Sequence, residues 1–182
     1  MILYFTGIGN SLYAAKQLDN ELISIPQAVR QGRLDFSADT IGIVTPVYGH
    51  EVPSMVREFM HKASFHTRYF YMILTYGNRH AGAAELAKRL CDECGISVNY
   101  INVLLMADNW LPAFDMNEQK RLNKKVDEHI ELIRDDIVIR LNRIAPVTSA
   151  DRAAHREYLS RIEQMPPDIF QHFIKVTDAC IG

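Results

Sequence analysis

Cysteine is scarce in this sequence: Cys91, Cys94 and Cys180 are the three in 182 residues. An odd number without framework spacing excludes a disulfide-stapled secreted domain and points to a reducing compartment, the cytoplasm. Long apolar runs are missing as well. None approaches the roughly 18–20 residues that span a bilayer. No basic stretch with a cleavage site opens the chain, so neither a membrane partner nor a signal peptide is expected. An excess of one charge is also lacking. A net charge of -2 at pH 7 offers no electrostatic case for nucleic acid or an anionic surface. Repeats and low-complexity segments are absent. What remains is a chain with 48% hydrophobic residues, enough for the core of one domain.

Short apolar segments alternate with amphipathic ones along that chain. Ile2–Phe5 reads as a strand, and Ser11–Asn20 as a helix with Leu12, Ala15 and Leu18 on one face. Glu21–Ile25 reads as a second strand, and 27–40 as a helix fragment or loop. Thr40–Gly49 and Arg68–Asn78 are continuous apolar strands. Helices are predicted over 52–63, with Pro53 in the first turn, and over 81–95, with Gly95 as the stop. A fifth strand lies within 97–112. From Asn117 to about Arg143 the pattern is helical, about 40 Å at ~1.5 Å per residue, so a break is expected near Asp135–Asp136. Fully apolar strands alternating with helices predict a parallel sheet covered on both faces. The expectation is an α/β three-layer sandwich with a five-stranded parallel sheet in the order 2-1-3-4-5. It spans 1–145, and 146–182 reads as an extension or linker beyond the core.

In such a sheet ligands bind beyond the carboxyl ends of the strands. Three loops fall on that edge: Thr6–Ser11, Pro46–Pro53 and Thr75–Gly82. The first has two glycines, which permit a sharp turn and close backbone approach. Its amides, and the N-terminus of the helix that follows, suit an anion. The Thr6 and Ser11 hydroxyls and the Asn10 amide can donate to phosphate oxygens. No Lys-Ser/Thr follows, which excludes a triphosphate P-loop, and the third glycine of a dinucleotide fingerprint is missing. Tyr48-Gly49 and Tyr76-Gly77-Asn78 add an aromatic to each of the other loops. A phosphate at one end and a flat ring between two loops describe flavin mononucleotide (FMN).

"YFTGIGNS", "TPVYGHEVP" and "TYGN" resemble the phosphate loop and the two flavin loops of the flavodoxin family, in the family's order. The resemblance covers roughly 1–145. It implies a flavodoxin-like sandwich that binds FMN through Thr6, Gly7, Ile8, Gly9, Asn10 and Ser11, then Pro46, Val47, Tyr48 and Gly49, then Thr75, Tyr76, Gly77 and Asn78. It implies electron transfer through the flavin, with no catalytic side chain. Gly49 would let its peptide turn a carbonyl toward flavin N5. Ile8 departs from the family, which often has Thr there, and removes one hydroxyl from the cradle.

The chain resembles most the flavodoxin part of flavodoxin–ferredoxin fusions. "FIKVTDACIG" looks like the lead-in to a cluster motif, with Cys180 as its first ligand. That implies iron–sulfur clusters in a missing C-terminal domain, and a ferredoxin domain or other redox protein as the partner. Two other functions share the strand order. An FMN-dependent NAD(P)H:quinone reductase is the alternative. A phospho-receiver domain needs clustered aspartates, and Phe5-Thr6 at the first strand end has none. Cys91-x-x-Cys94 falls at a helix end, where a thiolate gains no support. His50 and His80 lie in the flavin loops. Trp110 falls on the same edge, as a flavin shield, a partner surface or rim packing.

Overall fold

The computed structural model describes residues 1–108, Trp110, 113–166 and Thr177. In chain order the elements are β1 (Ile2–Tyr4), α1 (Asn10–Leu18), β2 (Leu22–Ser24), α2 (Ile25–Arg30), β3 (Asp35–Ser37), β4 (Thr40–Pro46), α3 (Ser54–Lys62), β5 (Ser64–His66), β6 (Tyr69–Tyr76), α4 (Ala83–Glu93), β7 (Tyr100–Leu105), α5 (Met116–Arg121), α6 (Val126–Val138), β8 (Arg143–Ile144) and α7 (Ser149–Glu163). The main sheet has the order β2-β1-β4-β6-β7-β8, and every pairing in it is parallel. Its first five positions have the expected winding, and the fold is flavodoxin-like.

The long strands bury both faces. In β4 and β6, Ile41, Ile43, Phe70, Met72 and Leu74 face a core completed by Val56, Phe59 and Leu90. The alternate residues Val44, Tyr69, Tyr71 and Ile73 face Ala14, Ala15, Ile130 and Ile133. This is why both strands read as unbroken apolar runs rather than alternating ones.

Four details differ from the sequence reading. A sixth strand, β8, joins the edge beyond β7 through Tyr100↔Arg143 and Ile101↔Ile144. Two residues carry no periodicity, so it was not legible. It is held by Arg143, whose guanidinium bonds Asp136 at 2.5 Å and lies over the Tyr100 ring. Ile25 starts α2 instead of ending β2. The 27–40 stretch also contributes β3, which pairs with β5 in a separate two-stranded sheet. Phe36 anchors it, buried against Phe59 and Phe65 at centroid distances of 5.7 and 5.9 Å. Finally, the helical run breaks between Arg121 and Val126, not at Asp135–Asp136. Lys125 adopts a left-handed φ of 51° there, while Asp136 continues α6 and accepts from Tyr100 and Arg143.

Helix α7 lies within the segment read as an extension. Thr148 and Asp151 form a capping box at its start, and Arg152 bonds Glu85 of α4 at 2.7 Å. Pro167 and Cys180, the latter expected as a cluster ligand, lie outside the described residues. Among the described residues no helix is long and apolar enough to cross a membrane.

Gly42 sits opposite Tyr71 in the β4–β6 register, and a Cβ there would lie 2.5 Å from the Tyr71 hydroxyl and closer still to its Cζ. Gly42→Val is therefore expected to overpack the α1/α6 face and destabilise the fold by about 1–3 kcal/mol. Urea denaturation reads this directly, and an unchanged midpoint would show that the Tyr71 ring is free to move aside.

Candidate functional site

Strands β1 and β4 are neighbours, yet the helices after them cover opposite faces of the sheet. Their carboxyl ends thus flank the crevice where the winding reverses, the usual ligand position in such sheets. A cavity of about 810 Å³ opens there, within the common ligand-site range of roughly 300–1,000 Å³. Thr6, Gly7, Ile8, Asn10, Ser11, Pro46, Val47, Tyr48, Gly49, Thr75, Tyr76, Gly77 and Asn78 all line it. Gly9, the remaining loop residue, does not; it turns the chain into α1 at φ 103°.

The first loop is more internally engaged than its composition implies. Thr6 Oγ1 accepts from the Gly9 amide at 2.9 Å. Asn10 Nδ2 donates to the Ala107 carbonyl at 2.9 Å, and Ser11 Oγ pairs with Thr75 Oγ1 at 2.8 Å in a buried contact. Ser11 and Asn10 therefore tie the first loop to β6 and to the segment after β7. What points to an anion is the Thr6 hydroxyl hydrogen, together with the first-turn amides of α1. The N–H groups of Asn10, Ser11 and Leu12 have no intrahelical acceptor and sit at the positive end of the helix dipole. The Ile8 side chain is 57% exposed.

The second loop is a tight hairpin turn. Tyr48 and Glu51 exchange backbone hydrogen bonds of 2.9 and 3.0 Å, and Gly49 and His50 both have positive φ, 58° and 69°. That pair of angles is the primed type I geometry. Tyr48 stands edge-on to Phe5, with centroids 6.5 Å apart, and remains half-exposed in the cavity. Its hydroxyl hangs over Gly7, where a Cβ would lie 2.5 Å from the oxygen. Helix α7 covers the other side of this turn. The Tyr158 hydroxyl would meet a Gly49 Cβ at 2.6 Å, and the Tyr158 and His155 rings lie 4.8 and 5.8 Å from His50. The Nδ1 atoms of His50 and His155 are both buried without a partner among the described residues. Burial, followed by the nearby charges of His155, Arg79, His80 and Arg161, pushes the His50 pKa below its ordinary value.

Tyr76 packs edge-on against His80, with centroids 4.8 Å apart. Gly77 lies against the segment after β7, and a Cβ on it would sit 2.6 Å from Asp108 Cα. Ala107, Asp108, Trp110, Ala113 and Phe114 complete this wall, and Tyr158, Ile162 and Met165 close the α7 side. Trp110 is 56% exposed, so it is cavity wall and not core packing. The α7 contribution was not legible, because no spacing rule brings a helix starting at 149 back over a turn at 49.

Lys124 is a further residue that the sequence reading missed. Its ammonium donates to the carbonyls of Gly77 (2.9 Å) and Met106 (2.7 Å) and to Gln119 Oε1 (2.9 Å). Gln119 Oε1 also accepts from the Asp108 amide at 3.1 Å. Burial pushes the Lys124 pKa down, and the Asp108 carboxylate works against that shift.

The Cys-x-x-Cys pair lies outside the cavity. Both thiols are free. Cys91 is buried, with its sulfur 3.5 Å from that of Met72, and burial pushes its pKa up to about 12. Among the described residues no group of three or more His, Cys, Asp or Glu side chains is placed to hold a metal ion.

Two measurements test this description. Because the folded pKa of His50 is depressed, the folded state resists a proton that the unfolded chain accepts. Stability from this group is present above the ordinary histidine range and is lost as pH falls through it toward the depressed value. His50→Asn keeps a residue that tolerates positive φ. It should flatten the fall in melting temperature between pH 7.5 and 5.5, and an equal slope would reassign the effect to other groups. In thiol labelling of the native protein, Cys94 should react and Cys91 should stay protected until unfolding. Prompt labelling of Cys91 would contradict its burial.

No family model matches the chain, and no curated protein matches it. Solved structures similar to it include a flavodoxin from Megasphaera elsdenii, at 18% identity and a TM-score of 0.43, covering 56% of this chain and 82% of that one. An NAD(P)H:quinone oxidoreductase from Methanothermobacter marburgensis is similar at 9% identity and a TM-score of 0.44, with 74% and 94% covered. The Trp repressor binding protein from Bacillus subtilis is similar at 13% identity and a TM-score of 0.41, with 65% and 91% covered.

Proposed function

We propose that this chain binds FMN in the cavity at the β1/β4 crevice and serves as an electron-transfer flavoprotein. One observation carries the reading. Three loops far apart in sequence, each read as part of a flavin site, line a single cavity with an anion-suited helix terminus at one end and two tyrosines along its walls.

The donor set fits the group. A singly phosphorylated ester needs no lysine or arginine when amides and a hydroxyl converge on it. The Thr6 hydroxyl and the amides of Asn10, Ser11 and Leu12 would hold the phosphate. Tyr48 and Tyr76 place aromatic rings on the cavity wall for a flat heterocycle, and the missing side chains of Gly7 and Gly77 let the loops close against Tyr48 and Asp108. When bound, FMN supplies one- and two-electron redox chemistry, and the protein sets its orientation and potential. The residues of this chain bind, orient and exclude water. None is required as acid, base or nucleophile.

The partner we propose is a ferredoxin-type iron–sulfur protein or domain, on the resemblance around Cys180. The location we propose is the cytoplasm, in keeping with free Cys91 and Cys94. The FMN-binding unit would comprise 1–145 together with α7, which lends Tyr158 and Ile162 to the wall.

The test is the absorbance spectrum of the purified protein after incubation with FMN and desalting. The wild type should retain flavin bands with quenched fluorescence. Gly7→Val puts a side chain where the Tyr48 hydroxyl now lies, so Tyr48 must leave its place on the cavity wall and FMN binding should weaken about tenfold. A folded wild type that retains no flavin would overturn the reading.

A further inference from the structure

We propose that Lys124 is the positioning residue of this cavity: its ammonium locks the loop after β6 to the segment after β7, and its charge, set behind that wall, favours the negatively charged reduced form of the bound flavin. The inference rests on the FMN reading for its second half and on geometry alone for its first.

A lysine ammonium has three hydrogens, and here each one meets a distinct acceptor at 2.7–2.9 Å. Two acceptors are backbone carbonyls from the separate segments that flank the cavity. The third, Gln119 Oε1, also takes the Asp108 amide. One group therefore fixes Gly77, Met106 and Asp108 together. Gly77 is pressed against Asp108 so closely that no side chain fits between them, so the wall has no slack once the clamp is made. Arginine could not replace it, because a planar fork does not match three converging directions.

The charge has a separate consequence. All three acceptors are neutral, and no salt bridge links Lys124 to a carboxylate among the described residues. The carboxylate whose charge acts on Lys124 is that of Asp108, which itself lines the cavity. Removing the ammonium would leave the Asp108 carboxylate on the cavity wall with Arg79 as the other fully charged lining side chain. A like charge beside a group disfavours its anionic state. Lys124 thus opposes the penalty that Tyr48 and a low-dielectric wall place on a reduced, anionic flavin.

Three variants separate the two roles. Lys124→Met removes donors and charge, Lys124→Gln keeps amide donors but no charge, and Lys124→Gln with Asp108→Asn removes both charges. The first readout needs no flavin: amide exchange at 76–79 and 106–108 should quicken about tenfold or more in Lys124→Met and less in Lys124→Gln. The second is the midpoint potential of bound FMN relative to free FMN, which reports the ratio of reduced to oxidised affinity. That ratio should fall about tenfold in both single variants, and the added Asp108→Asn should restore most of it. Unchanged exchange in folded Lys124→Met would overturn the clamp. An unchanged ratio in both single variants would overturn the electrostatic role. If wild-type protein fails to bind FMN, the flavin reading falls with that role, and the exchange result still decides the clamp.

Discussion

Parallel pairing of β1 with β4 places two strand ends side by side while the chain leaves them toward opposite faces of the sheet. No backbone crosses the gap between those exits, so a crevice is unavoidable. The loops after β1, β4, β6 and β7 meet at it because every strand of the main sheet runs the same way. The helix after β1 starts at its lip, which puts unpaired amides and a dipole end where a ligand enters. The location of the crevice and the helix terminus at its lip are thus consequences of strand direction, before any particular side chain is considered.

Side chains then decide what the crevice is. Its walls are built from close approaches: the Tyr48 hydroxyl over Gly7, the Tyr158 hydroxyl over Gly49, and Asp108 against Gly77. Each of these glycines is needed for space, and Gly49 also for its positive φ of 58°. The polar residues of the first loop serve two ends. Asn10 and Ser11 give side-chain hydrogen bonds to neighbouring segments, which ties the loop to them and leaves the first-turn backbone amides of α1 as the free donors. A preorganised loop of this kind binds its ligand without first having to be ordered.

Two charged side chains, Arg79 and Asp108, are part of the cavity lining. Burial, followed by the nearby charges of His155, Arg79, His80 and Arg161, depresses the His50 pKa. Lys124 sits behind the opposite wall, saturated by neutral acceptors. Helix α7 carries no fully buried residue and is held by its ion pair to Glu85 and by the Tyr158 and His155 rings on the His50 turn.

Much of this was legible in the sequence. Apolar runs such as 40–46 and 69–76 specify central strands, because only a strand buried on both faces keeps no polar side. Gly7, Gly9, Tyr48, Gly49, Tyr76 and Gly77 announce the loops, because their special geometry is local and is carried by residue type. Strand order followed from the alternation of elements. What the sequence could not hold was contact between distant segments. The β3–β5 pair and the two-residue β8 depend on partners that no periodicity names. Lys124 looks like any charged residue after a helix until Gly77 and Met106 turn their carbonyls toward it. Tyr158 looks like a surface tyrosine until α7 folds back over Gly49. Local propensity and patterning determined the elements and the loop chemistry. Only tertiary packing decided which hydroxyls and amides were consumed internally, which charge stood behind the wall, and which helix closed the site, because those outcomes depend on distances between residues that the chain order keeps far apart.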